Sequence, residues 1–177
     1  MSQALNDFFT VVATDKTLQE RLFVTKEVSD VATIANEMGF SVTGADVLRA
    51  QVGRVLTLPS EELENLVAGN KSKKGAQWGR AGKGWLDNAG FWILELIQWG
   101  CTVQSFEPSL DLFVGKAKED KELQQKLLAA KTYESVANIA HEYGYEVASI
   151  DLLKHMAIQI MKLNDEKAET VASGGAH

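Results

Sequence analysis

The chain contains a copy of itself. Residues 5–70 lie over residues 110–175 without a gap, and 21 of the 66 aligned positions are identical. "DKTLQERLFVTK" falls on "DKELQQKLLAAK", "VATIANEMGFSV" on "VANIAHEYGYEV", and "LPSEELENLVAGN" on "LNDEKAETVASGG". A fixed-offset repeat means one supersecondary unit used twice. The organisation expected is repeat one at 1–70, a connecting segment at 71–107 with no counterpart, and repeat two at 108–177.

The spacing within each copy predicts short helices. Leu5, Phe8, Phe9 and Val12 fall on one helical face. Val31, Ile34, Ala35 and Met38 repeat that pattern, as do Val136, Ile139, Ala140 and Tyr143. Gly39 and Gly144 are placed to stop those helices in the left-handed conformation, with Phe40 and Tyr145 folding back onto the last turn. Thr43 and Asp46 read as a capping box opening the next helix; copy two has Ala148 there and relies on Ser149. A last short helix opens at Pro59-Ser60 in copy one and at Asp165 in copy two. The expected fold is all-α: two tandem small helical bundles joined by a Trp-rich helical segment. A unit of about 70 residues has a marginal core, so the copies are expected to need each other or a partner.

Composition narrows the function. The net charge of -6 argues against nucleic-acid binding, which needs a basic footprint. Cys101 is the single cysteine, so no internal disulfide can form. The chain opens without a secretory pattern, and no run of 18 apolar residues occurs. A cytoplasmic protein is expected.

Catalytic chemistry finds no footing. "HEYGY" puts Tyr145 where a zinc-binding H-E-x-x-H helix needs its second histidine. Copy one has Asn36 opposite His141 and Ala50 opposite His155, so neither histidine belongs to the repeated unit. "GRAGKG" fails as a phosphate loop, with Gln77 at the first glycine position and Gly84 at the Ser/Thr position. No metal or cofactor site is expected, and no enzyme.

Read together, "L..FF....D..LQ.RL", "V..IA.E.GF", "ADVL" and the acidic "L.SEELE.L.AG" resemble the Nif-eleven family, in both copies. That family comprises nitrogen-fixation-associated proteins and the leader regions of ribosomally made, modified peptides. The resemblance implies a helical docking surface for a peptide-modifying enzyme, or for a peptidase-exporter that cuts after a small-residue pair. Leaders of this double-glycine type carry apolar residues 12, 7 and 4 places before the cut. With Gly69 as the last leader residue, Leu58, Leu63 and Leu66 occupy those places and Ala68-Gly69 is the pair. With Gly174, Leu163 and Val171 fit, Ala168 weakens the middle place, and the pair is Ser173-Gly174, or Gly174-Gly175 one residue on. The docking residues implied are Leu58, Glu61, Leu63, Glu64 and Leu66 in copy one, and Leu163, Glu166, Glu169 and Val171 in copy two. A bundle core would call for the same leucines.

All four tryptophans lie in 71–107: Trp78, Trp85, Trp92 and Trp99, seven apart. Seven residues are nearly two helical turns, so on one helix they would share a face, with Gly82, Ala89 and Leu96 completing the seam. The first half, "KSKKGAQWGRAGKG", has five positive charges and no negative ones; the second half is apolar. Three readings stand: a linker helix burying its tryptophans against the repeats, an interfacial or partner-binding helix whose basic half is drawn to an anionic surface such as a membrane, and a peptide cargo released after Gly69. An uncut accessory protein associated with nitrogen fixation is a further alternative.

Overall fold

A computed structural model describes residues 3–68, 85–86, 89–99 and 108–174. Among these, every regular element is a helix. Copy one supplies α1 (Gln3–Val12), α2 (Lys16–Phe23), α3 (Val28–Glu37), α4 (Gly44–Thr57) and α5 (Ser60–Val67). α6 (Ala89–Gln98) follows. Copy two supplies α7 (Pro108–Glu119), α8 (Lys121–Ala129), α9 (Tyr133–Glu142), α10 (Ser149–Met161) and α11 (Asp165–Ala172). The protein is all-α and its two repeats are helical, as the sequence predicts.

About half of the identical positions of the repeat are buried core, such as Leu5, Phe8, Leu22, Val31 and Leu48, and several of the others start, stop or staple helices. Asp15 and Asp120 cap α2 and α8, each accepting from the backbone amide three residues on at 3.0 Å. That satisfies one of the donors a helix start leaves unpaired. Gln19 and Gln124 then reach back: their amides donate to Val12 O at 2.7 Å and Ala117 O at 2.8 Å. The "D..LQ" signature is thus a cap, a core leucine and a staple to the preceding helix.

Gly39 and Gly144 have φ of +93° and +88°. The amides of Phe40 and Tyr145 donate back to Ala35 O and Ala140 O, both at 2.9 Å, closing α3 and α9 as the glycines predict. The Phe40 ring lies 5.7 Å from Phe8, and Tyr145 lies 6.1 Å from Phe113. Thr43 and Asp46 form the expected reciprocal box: Thr43 N donates to Asp46 and Asp46 N donates to Thr43 Oγ1, both at 3.1 Å.

The compact units do not follow the repeats. One unit gathers α1–α4 with the end of α10, from Ile160, and α11. Within it α3, α4 and α11 pack on one another. Its core includes Leu5, Phe8, Val31, Leu48, Val52, Ala168 and Val171. The other unit gathers α5, the turn at Trp85–Leu86, α6–α9 and α10 up to Gln159. There α6 touches α7, α8 and α9. Its core includes Trp85, Trp92, Leu110, Phe113, Leu127, Tyr133 and Leu153. The last helix of copy two therefore completes the unit built from copy one, and the last helix of copy one is counted in the other.

One expectation is corrected. The tryptophans do not lie along one helix, because α6 begins only at Ala89. A helix running through Trp85 would bond Ala89 N to Trp85 O. Instead Ala89 N donates to Lys131 O at 3.3 Å, and Trp85 O accepts from the Tyr133 hydroxyl at 3.0 Å. Trp85 sits in a turn, Trp92 on α6 and Trp99 just after it. Trp78 and Gly82 lie outside the described residues.

Candidate functional site

The residues singled out as a docking surface sit on α5 and α11, and the fold divides them by chemistry. On α5, Leu63, Leu66 and Val67 are buried while Glu61, Glu62 and Glu64 are exposed; Leu58, just before it, is half-buried. On α11, Ala168, Val171 and Ala172 are buried, as is Leu163 in the preceding turn, while Glu166 is exposed. Apart from Leu58 the apolar members are core, and the acidic members lie on the outer side of each helix.

Glu169 departs from this pattern. Its Oε1 accepts from Ala45 N at 2.6 Å, at the start of α4. A carboxylate there satisfies an orphan amide and complements the positive end of the helix. Beside it, Arg49 donates to Leu163 O at 3.2 Å and pairs with Asp165 at 2.7 Å. Asp165 is 86% exposed, so this pair orients more than it stabilises. Gly44 closes the contact: a Cβ added there would stand 3.0 Å from the Cβ of Ala172 and 3.0 Å from Glu169 Oε2.

The small-residue pair after α11 has a structural role. Ser173 caps the helix, its amide donating to Glu169 O at 2.9 Å. Gly174 follows with φ +87°, the left-handed stop residue. A Cβ on Gly174 would lie 2.6 Å from Glu27 Oε2, so a bare backbone is also what the packing allows. Ala68 occupies the matching place after α5 and is half-buried. Gly69 and Gly175 lie outside the described residues.

Glu27 Oε2 is itself buried without a hydrogen-bond partner. Burial pushes its carboxyl above the ordinary 4.5, and the neighbouring Asp30 adds to the rise. The folded chain then holds this proton more tightly than the unfolded chain. Glu27 therefore favours folding most when protonated, and stability falls as pH rises from the ordinary value through the raised one. Glu27→Gln should raise stability at neutral pH by about 1 kcal/mol and remove this component of the pH slope. Urea unfolding midpoints across mildly acid to neutral pH would measure both.

Sequence reasoning missed two residues that place the tryptophan segment. Tyr133, fully buried, meets Trp85 edge-on at 6.3 Å as well as bonding its carbonyl. Gly90 lets α6 sit against α8: its amide donates to Ala130 O at 3.0 Å, and an added Cβ would overlap the Leu127 carbonyl. The available signal for Gly90 was the Ala89-Gly90 pair opening an otherwise large-residue helix.

Among the described residues, no group of three or more His, Cys, Asp or Glu side chains could hold a metal. His141 lines a shallow open cleft of about 460 Å³ with Glu134, Glu146 and Asp151. No described helix is long and apolar enough to cross a membrane.

Paired short helices, repeated caps and terminal acidic helices define an all-α tandem-repeat protein. The chain belongs to the Nif11 family: the Nif11 domain matches residues 1–47 and again residues 107–152. Both matches end before the terminal helices α5 and α11. No curated protein and no solved structure matches the chain. Family membership suggests a leader-peptide-like or precursor role.

Proposed function

We propose that this chain is a non-enzymatic recognition protein of leader type, read by a peptide-modifying enzyme or a peptidase-exporter. The observation that carries this is the double Nif11 match, with each match followed in the chain by a short acidic terminal helix and a small-residue pair. The acidic face offered in the folded state is Glu61, Glu62 and Glu64 on α5; Glu166 is exposed on α11, in the other unit. An enzyme that instead gripped Leu63, Leu66 or Val171 would have to draw the helix out of its unit first. Such a partner would carry a basic groove matched to the acidic face.

The precursor reading places a cargo in 71–107, freed by a cut after Gly69. Burial weighs against it, because Trp85 and Trp92 are only 0% and 2% exposed within a helical unit. Intact mass of the protein from its native host, with peptide mapping of residues 58–107, decides between them. A single unmodified 19.4 kDa species is the expected result. A cut after Gly69, or a mass change within 71–107, would replace the recognition reading with the precursor one.

A further inference from the structure

We infer that the α3–α4 face is a selective helix-binding groove that accepts α11 and refuses α5, so that side-chain size encodes the exchange of terminal helices between the copies. This does not rest on the leader reading. α5 and α11 share a register, an exposed acidic residue at Glu61 and Glu166, and the glutamates Glu64 and Glu169. They differ where α11 is most deeply buried. Ala168 and Ala172 are both 0% exposed, and the aligned residues of α5 are Leu63 and Val67.

Leucine carries three more carbons than alanine, and valine two more. The groove is already closed behind Ala172, since even a methyl on Gly44 would come within 3.0 Å of its Cβ. α5 in this groove would overpack it at both positions. It would also offer Ser60 where Asp165 meets Arg49. In the other direction, Leu63 and Val67 are 1% and 3% exposed where α5 sits, and the alanines of α11 would leave that space unfilled. Each helix therefore matches one place. The ligand this groove reads is a short helix with alanines four apart, a glutamate after the first alanine that caps α4, and an acidic first residue.

Arg49→Lys in the full chain sets a primary amine toward Asp165, and a carbodiimide couples an amine to a carboxylate it touches. The expected product is a link from position 49 to Asp165 within one polypeptide. A mixture of heavy-isotope-labelled and unlabelled chains should yield no mixed-isotope pairs. Adding Ala168→Leu with Ala172→Val should cut the yield at least about tenfold. Gly44→Ala, adding one methyl from the groove side, should cut it severalfold and serves if the double variant loses its helical circular dichroism. Leu112→Asn, at a 62% exposed site on α7, should leave it unchanged. Mixed-isotope links would assign the groove to the α11 of a second copy. No link in the Arg49→Lys chain, or yields unmoved by both the double variant and Gly44→Ala, would overturn the inference.

Discussion

Gly90→Ala should destabilise the unit around α6 by about 3 kcal/mol or more, a large effect for one methyl. The reason is geometric. The added carbon would overlap the Leu127 carbonyl oxygen, with the carbonyl carbon at 2.6 Å and Ala130 O at 3.1 Å. These are backbone atoms at the end of α8, so no side chain can swing aside. The start of α6 and the end of α8 meet as donors to acceptors, through Ala89 N to Lys131 O and Gly90 N to Ala130 O. Backing α6 away breaks both bonds and strands amides that the helix cannot pair internally. Chemical denaturation checks this. An unchanged midpoint would mean that α6 is not seated on α8.

Trp85→Ala should cost about 3–5 kcal/mol. The indole is fully buried, and a methyl in its place leaves a cavity lined partly by Tyr133. The hydrogen bond from the Tyr133 hydroxyl goes to the Trp85 backbone, so it is not deleted by the substitution. The loss therefore reports packing rather than polar pairing. Trp99 is only half-buried, its ring tilted against Trp92 with centroids 6.3 Å apart, so Trp99→Ala should cost markedly less. The gradient matters for function. A segment acting only as passenger sequence would tolerate alanine at both positions, whereas a core segment would not at Trp85.

Local structure was legible because it is written locally. Gly39 stops α3 and the Thr43–Asp46 box opens α4, each through atoms within a few residues. The tryptophan seam misled for a related reason. Seven-residue spacing records where side chains would point if the backbone were one helix, and it does not record whether the backbone is one. The ladder is broken at Trp85 by Tyr133 and Lys131, which lie more than 40 residues away in sequence.

The pairing of terminal helices was hidden by the repeat itself. Two copies offer two equivalent places for each helix, and identical residues cannot choose between them. The information lies in the mismatches: Ala168 against Leu63, Ala172 against Val67, Asp165 against Ser60. In the leader register Ala168 looks like a weakened anchor. In the structure it is a fully buried alanine on the inner side of α11. Gly174 likewise reads as half of a cutting site in one dimension, and in three as a helix stop pressed against Glu27.

The exchange of α5 and α11 also changes what scission of this chain could accomplish. Break the backbone after Gly69 and two polypeptides result, one bearing α1–α5 and the other α6–α11. Each compact unit would still be assembled from both pieces, α11 with α1–α4 in one and α5 with α6–α10 in the other. The covalent tether would be gone, and association would pass from an intramolecular to a concentration-dependent equilibrium. Hydrolysis and release are thereby separate events, and a protease alone would deliver a nicked heterodimer rather than a liberated peptide.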